Sequence, residues 1–246
     1  MSDITTKILH EGELTDLDTN FHFLKNTDPF LSACKDWHYT HRHHLGYESI
    51  KKLNVIFIGQ TGYGKSSLIN KLINREIFET SDYEACTKVL QSANYFLNHS
   101  KKHEKLAYVF SFVDLPGIGE NDKEDEKYLR WYQDYLKEAA VIVYLFRADK
   151  RDHTQDEFFF KNVFNKELSN QLICVISQAD KIEPLSRGLD ISDAQKYNLV
   201  KKEKEIKSRP FLNFNDLTVL HTSSQLNINI GYLKECIVDK LNNLRD

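Results

Sequence analysis

A glycine-rich run in the first third of the chain has the residue types and the spacing of a phosphate-binding loop. It reads Gly59-Gln60-Thr61-Gly62-Tyr63-Gly64-Lys65-Ser66, which fits the pattern G-x-x-x-x-G-K-[ST], and Ser67 follows it. Glycines let the backbone bend around a phosphate and turn its N–H groups inward, and the amino end of the next helix adds positive charge. In such loops the lysine reaches the β- and γ-phosphates and the serine hydroxyl binds Mg²⁺. The run therefore predicts that residues 59–67 bind a nucleoside triphosphate, with Lys65 at the phosphates and Ser66 at the metal.

A second group of chemically useful residues is Asp114-Leu115-Pro116-Gly117, which follows the apolar run 108–113. A carboxylate at the end of a strand can hold the metal ion through a water molecule, and nucleotide hydrolases pair such an acid with the phosphate loop. A glycine in this place lets a backbone N–H approach the γ-phosphate, because a side chain would obstruct it. We expect Asp114 to hold Mg²⁺ through water and Gly117 to face the γ-phosphate.

The elements that must position these residues are short apolar runs that alternate with helix-patterned stretches, which is typical of βα units and a mostly parallel sheet. The polar stretch 98–103 suits a hairpin loop and makes one edge strand antiparallel. We predict an α/β fold in which a six-stranded, mostly parallel sheet with one antiparallel edge strand has helices on both faces. The strands are expected near 53–58, 89–97, 106–113, 140–146, 171–177 and 217–222, and the helices near 65–75, 124–138, 154–168, 192–208 and 229–244.

The first fifty residues differ from the rest of the chain, since they lack the alternating pattern and concentrate histidines around Trp37. Two or so helices are plausible there. We therefore divide the chain into an N-terminal helical extension, residues 1–50, and a nucleotide-binding domain, residues 51–246.

The stretches Val113 to Glu120, Leu145 to Asp149 and Ser177 to Lys181 resemble the translation-factor-related GTPases, and within them the Era-like branch and its YfjP-type members. The resemblance spans residues 53–244. It implies a Ras-like P-loop fold, Mg²⁺-dependent binding and hydrolysis of GTP, and a role as a GTP/GDP switch or assembly factor. It also implies that Thr87 is the mobile-loop threonine that coordinates Mg²⁺ and senses the γ-phosphate.

The residues that would recognise the base depart from the family pattern. Ser177-Gln178-Ala179-Asp180 stands where the family has Asn-Lys-x-Asp, after the run 172–176. Asp180 keeps the carboxylate that accepts two hydrogen bonds from guanine, a pairing that adenine cannot offer. We expect guanine specificity to be kept and affinity to be lowered. Ser223 and the backbone N–H of Ser224 match the family's last base contact.

Hydrolysis of GTP needs a group that orients the attacking water, and the sequence offers none after Gly117. Ile118 occupies the place where Ras-like enzymes carry glutamine, and its side chain cannot hydrogen-bond water. We expect slow intrinsic turnover that is accelerated by a partner, by dimerisation across the nucleotide face, or by the segment from Ile77 to Thr87.

The composition sets limits on partners and location. The net charge of −3 gives no general attraction to nucleic acid or anionic lipid. The four cysteines are scattered, no secretory signal pattern begins the sequence, and no apolar run approaches the roughly 20 residues of a membrane-spanning helix. These features lead us to expect a soluble protein of the cytoplasm.

Two other functions stay open from the sequence. The altered Ser177-Gln178 pair permits a P-loop nucleoside triphosphatase with a relaxed base preference, including ATP. The loop form Gly-x-Thr-Gly-x-Gly-Lys-Ser also occurs in GTPases that dimerise, which permits a GTP-binding module that self-associates through its nucleotide face.

Overall fold

The computed structural model of the protein describes residues 49–74, 76, 78, 80, 91–97, 106–118, 132–133, 135–185 and 190–243. Nearly all of the predicted N-terminal extension, Thr87, and most of the helix expected near 124–138 lie outside these residues. The phosphate loop and the segments predicted to bind the base lie within them.

Six strands form one sheet in the described part of the chain, in the order β2-β3-β1-β4-β5-β6. They are β1 (Ser49–Gly59), β2 (Gln91–Leu97), β3 (Leu106–Asp114), β4 (Ala139–Arg147), β5 (Leu172–Ser177) and β6 (Thr218–His221). Every neighbouring pair is parallel except β2 and β3, which are antiparallel. The predicted α/β architecture with a mostly parallel sheet is confirmed.

Strand β1 begins at Ser49, earlier than its apolar pattern predicts. Its backbone pairs with β3 from Ser49 opposite Leu106 to Phe57 opposite Asp114. Ladder hydrogen bonds join main-chain groups and do not require apolar side chains, so the strand extends through Lys51 and Lys52.

Four helices are described in full: α1 (Lys65–Ile73), α2 (Thr154–Asn162), α3 (Asp193–Lys207) and α4 (Ile230–Asn243). Residues 132–133 and 135–137 are also helical. Helix α2 ends six residues before the predicted end at 168. The Asn165 side chain accepts a hydrogen bond from the Glu167 backbone N–H and starts a separate 3-10 helix, Lys166–Gln171, because asparagine competes with helical hydrogen bonding.

The hydrophobic core has two layers, one on each face of the sheet. Consecutive residues of β1 point to opposite faces, so Val55 and Phe57 belong to one layer and Ile56 and Ile58 to the other. Helices α1 and α4 cover the first layer, whereas α2 and α3 cover the second, as Leu68, Leu233, Phe159 and Leu199 show. No helix within the described ranges has the length and apolar composition needed to cross a membrane.

Candidate functional site

The predicted site residues that the structure describes lie at one edge of the sheet. Parallel strands bring their carboxyl ends together, and the loops that follow them meet there. The phosphate loop follows β1, Asp114 ends β3, Ser177 ends β5, and Ser223 comes two residues after β6. This edge is therefore the candidate nucleotide-binding site.

The phosphate loop is a tight turn that leads directly into α1. The Tyr63 backbone N–H donates to the Gln60 carbonyl over 3.2 Å, which closes the turn. Gly62 and Gly64 have φ angles of 78° and 81°, in the left-handed region that favours glycine. Gly64 is the N-cap of α1 and makes no side-chain cap hydrogen bond. The positive amino end of the helix therefore faces the loop without a side-chain cap.

Lys65 is buried and lies back along the phosphate loop. Its Nζ donates to the Gly59 carbonyl over 3.2 Å and to the Gln60 carbonyl over 3.4 Å. The ammonium group is thus held at the loop that is expected to bind phosphates, and phosphate oxygens are stronger acceptors for it than neutral carbonyls.

The two predicted metal-binding residues that the structure describes touch each other. The Ser66 hydroxyl donates to Asp114 Oδ2 over 2.5 Å, and Asp114 is fully buried. A hydroxyl and a carboxylate are the oxygen ligands that Mg²⁺ prefers. The residues present therefore fit Mg²⁺, with Ser66 as ligand and Asp114 behind it.

Gly117 makes the tightest approach of the site, against the phosphate loop. A Cβ at this position would lie 1.9 Å from Thr61 Oγ1, 2.5 Å from Thr61 N and 2.6 Å from Thr61 Cα. The segment is held there by backbone bonds from Leu115 N to Phe57 O (3.3 Å) and from Ile118 N to Gly59 O (3.4 Å). The structure thus supplies a steric reason for glycine that the sequence did not reveal.

Ile118 lies on the core side of this segment. It is buried in the hydrophobic layer that α2 and α3 cover, and its backbone bridges to Gln60. The side chain is placed for packing, and it offers no hydrogen bond to a water molecule.

Ser177 and Gln178 join the segment predicted to bind the base to the phosphate loop. The Ser177 hydroxyl is within hydrogen-bond distance of Tyr63 O (2.7 Å) and Phe146 O (3.0 Å), and the Gln178 amide donates to Gly62 O over 2.8 Å. Gln178 adopts a φ of 53°, which turns its side chain toward the loop. Ser177 and Gln178, which replace the family's Asn and Lys, therefore both contact backbone carbonyls of the phosphate loop.

Asp180 is oriented by the serine after β6. The buried Ser223 hydroxyl donates to Asp180 Oδ1 over 2.6 Å, and the backbone N–H of Ala179 donates to Thr222 O over 2.9 Å. Asp180 itself is partly exposed. The carboxylate is therefore held at the edge of the site, and the Ser223 hydroxyl fixes its orientation.

Two further predicted site residues, Ser67 and Ser224, share a groove. Ser67 and Ser224 line a polar groove of about 480 Å³ between α1 and the segment after β6. Thr87 lies outside the described residues, so its predicted role stays a prediction.

Asn70 is a structural residue of the site that the sequence did not suggest. Its side-chain amide donates to Phe78 O over 2.8 Å, and its Oδ1 accepts from Phe78 N over 2.9 Å. The paired bonds fix the start of the segment that leads toward Thr87. Helical asparagine is common, and no local pattern distinguishes one that binds a backbone eight residues away.

A phosphate loop after β1, a carboxylate at the end of β3 and an Asp–Ser pair after β5 and β6 define a P-loop nucleotide-binding protein of the Ras-like class. Residues 54–181 match the family described as 50S ribosome-binding GTPase, which is more than half of the chain. The chain belongs to this family, and the predicted membership of the Era-like GTPases is confirmed.

Individual relatives agree with the family. The uncharacterised protein YfjP of Escherichia coli K12 is 36% identical over 150 residues, which cover 59% of this chain and 48% of YfjP. Among solved structures, a single-substitution variant of Aquifex aeolicus Era bound to GDP and AlF4⁻ has a TM-score of 0.58 at 24% identity, and the match covers 78% of this chain and 57% of Era. Toc33 of Arabidopsis thaliana, in complex with Mg²⁺ and GMPPNP, has a TM-score of 0.58 at 17% identity and covers 89% of this chain and 96% of Toc33.

The chain spans about half the length of curated relatives such as YfjP. The likeness to Era and Toc33 is one of fold, and those structures contain guanine nucleotides, with Mg²⁺ in the Toc33 complex.

Proposed function

We propose that the protein binds GTP and GDP with Mg²⁺ at the carboxyl edge of its sheet, hydrolyses GTP slowly, and acts as a GTP/GDP switch or assembly factor. The observation that carries the proposal is the bond from the Gln178 amide to Gly62 O, 2.8 Å long. It joins the segment that ends in Asp180 to the loop that contains Lys65. A base reader and a phosphate binder are thus parts of one continuous site.

At the phosphate end, the backbone of Gly59 to Ser67 surrounds the phosphates and Lys65 binds the β- and γ-phosphates. Ser66 would hold Mg²⁺ directly, Asp114 through water, and Thr87 is the third metal-binding residue of the proposal. When bound, Mg²⁺ neutralises negative charge that develops on the phosphates during transfer. The close position of Gly117 beside Thr61 supports its role next to the γ-phosphate.

At the base end, Asp180 accepts hydrogen bonds from guanine, and Ser223 keeps the carboxylate oriented for them. The backbone N–H of Ser224 would donate to guanine O6. Ser177 and Gln178 hold the phosphate loop in place of Asn and Lys. Gln178 adds no positive charge and no lysine stem against the purine, so we expect lower affinity than in relatives that keep Asn-Lys.

The proposal predicts strict dependence on Mg²⁺ through Ser66. We expect EDTA to lower single-turnover GTP hydrolysis by about 100-fold or more, because the developing phosphate charge loses its metal. Ser66→Ala is expected to bind GTP equally well with and without Mg²⁺. Affinity in EDTA serves as the internal control, since it should match the wild type. If Mg²⁺ raised the GTP affinity of Ser66→Ala as much as it raises that of the wild type, the metal assignment would be contradicted.

A second candidate function is GTP-dependent self-association across the nucleotide face. It is favoured by the buried position of Ile118, which leaves the water-orienting group to come from elsewhere. In the chloroplast translocon components atToc33 and psToc159, one of which has a similar fold, dimerisation is important for GTPase activity. Mass measured by light scattering is expected to double with GMPPNP and to remain monomeric with GDP; equal mass in both would exclude this function.

The division into residues 1–50 and 51–246 and the cytoplasmic location also remain proposals. They rest on the change of sequence pattern near residue 50 and on the composition. We also propose an unidentified effector protein as a partner of the switch.

A further inference from the structure

A buried chain of charged and polar groups runs from α3 to the phosphate loop. Asp156 in α2 is 0% exposed, His153 before α2 is 5% exposed, and Lys202 in α3 is 7% exposed. His153 Nδ1 lies 2.9 Å from Asp156 Oδ2, and His153 Nε2 lies 3.1 Å from Lys202 Nζ. The mechanism above uses none of these three groups.

The donors and acceptors of the chain assign the direction of each hydrogen bond. Lys202 Nζ has three N–H groups, which match Lys150 O at 2.8 Å, Glu205 Oε2 at 3.2 Å and His153 Nε2. Because an ammonium group only donates, His153 Nε2 accepts and its Nδ1–H donates to Asp156. The positive charge of Lys202 is thereby connected to the carboxylate of Asp156 through the imidazole ring of His153.

The other oxygen of Asp156 accepts two further hydrogen bonds. Tyr144 donates to Oδ1 over 2.9 Å, and the side-chain amide of Gln60 donates to the same oxygen over 3.2 Å. Burial, and next the neighbouring Asp156 charge, raise the pKa of Tyr144, so its hydroxyl stays protonated as a donor. One of these bonds ends in the sheet and the other in the phosphate loop.

Gln60 is the residue where the parts of the phosphate site meet. Its carbonyl accepts from Tyr63 N and from Lys65 Nζ, and its backbone bridges to Ile118. A shift of Gln60 would therefore move the turn of the loop, the lysine, and the segment that contains Gly117.

We propose that Asp156 is a positioning residue for the phosphate loop, held in place by His153 and Lys202 and acting through the side chain of Gln60. The inference rests on the proposed function for its meaning in GTP binding. It adds that the affinity for phosphates depends on the positive charge of Lys202 in α3, which is linked to the loop through His153, Asp156 and Gln60.

The physical reason is the state of Asp156 when Lys202 is removed. Without Lys202, His153 Nε2 loses its donor, so the ring is no longer held with Nδ1–H toward Asp156, and the buried carboxylate loses its connection to a positive charge. Asp156 is then free to turn or to bind water, and its Oδ1 moves away from the Gln60 amide. The hydrogen bond that holds the Gln60 side chain is thereby weakened, although no residue of the loop has changed.

A double-mutant cycle tests the connection. We would measure the Kd of Mg-GTP at pH 8 and the Tm of Gln60→Met, Lys202→Met and the double variant. Each single change is expected to weaken binding roughly three- to tenfold, and the double variant no more than the weaker-binding single, because both interrupt one chain. Lys202→Gln, which keeps a donor for Lys150 O, replaces Lys202→Met if that protein does not fold.

Tyr144→Phe is the matched control, because it removes a bond to the same carboxylate oxygen that does not lead to the loop. We expect it to lower Tm and to leave Kd within about twofold of the wild type. A purely structural role for Asp156 predicts instead that Kd follows Tm across all the variants. That result, a Lys202→Met protein with wild-type Kd, or single effects that multiply in the double variant, would overturn the proposal.

Hydrogen exchange of the loop separates this proposal from the proposed function. Amides of residues 59–66 in nucleotide-free Lys202→Met are expected to exchange about threefold faster or more than in the wild type, while Tyr144→Phe leaves them unchanged. If the wild type binds no GTP, the proposed function fails and this measurement still decides: faster exchange supports the positioning role, and unchanged exchange overturns it.

Discussion

Gly117→Ala is expected to reduce GTP hydrolysis by about 100-fold or more while GDP affinity changes by less than about threefold. The added Cβ would lie 1.9 Å from Thr61 Oγ1 and 2.5 Å from Thr61 N, so the segment and the phosphate loop must separate. Separation breaks the bond from Ile118 N to Gly59 O. It also withdraws the Gly117 backbone from the place that we propose for the γ-phosphate. GDP has no γ-phosphate and loses little. Single-turnover hydrolysis and a GDP titration measure the two quantities.

Two other glycines provide controls for Gly117→Ala. Gly231 lies in α4, where an added Cβ meets nothing within 4 Å, so Gly231→Ala should leave hydrolysis unchanged. A Cβ added at Gly62 also has no atom within 4 Å, but Gly62 has a φ of 78°. Gly62→Ala is therefore expected to strain the backbone of the loop by roughly 1 kcal/mol without a clash with another residue. Wild-type turnover in Gly117→Ala would show that the contact with Thr61 is not needed for hydrolysis.

Asp180→Asn is expected to weaken GTP binding by about 100-fold or more and to favour xanthosine triphosphate. The change replaces an acceptor oxygen by an N–H donor, which then faces the donors N1–H and 2-amino group of guanine. Xanthine carries a carbonyl at C2 and can accept from the new amide. Competition of GTP and xanthosine triphosphate for the site, followed by calorimetry, measures the exchange of preference.

Asp193→Asn is the matched control for that exchange. Asp193 lies at the start of α3, its side chain is 99% exposed, and it pairs with Lys196 at 3.2 Å. The same loss of charge there should change neither affinity nor base preference. If Asp180→Asn retained wild-type preference for GTP, another residue would have to read the base.

The phosphate end of the site could be predicted from the sequence because its residues are contiguous. The run from Gly59 to Ser66 contains the loop, the start of α1 and the hydroxyl beside Asp114 in one stretch of chain. Strand pairing then brings Asp114 to the same edge, since parallel strands align their carboxyl ends.

Contacts between distant segments could not be predicted in the same way. The bond from Gln60 to Asp156 joins residues 96 positions apart, and nothing local in either segment marks the partner. The approach of Gly117 to Thr61 is likewise a property of the packed loops. Sequence reasoning assigned this glycine to phosphate access alone.

The base end shows both a success and a gap. The position of Asp180 after an apolar strand indicated its place at the edge of the sheet. The replacement of Asn-Lys by Ser177-Gln178 suggested a loss of contacts, whereas Ser177 and Gln178 contact the carbonyls of Tyr63 and Gly62. Residue type alone did not reveal that a serine and a glutamine reach these two carbonyls.

The central claim is that this edge of the sheet is a site for guanine nucleotides. Calorimetric titration of the wild type with GTP, GDP and ATP in Mg²⁺, together with Lys65→Ala, tests it most directly. We predict tight binding of GTP and GDP, ATP affinity lower by about 100-fold or more, and loss of GTP binding in Lys65→Ala. Equal affinity for ATP, or GTP binding that is unaffected by Lys65→Ala, would contradict the account.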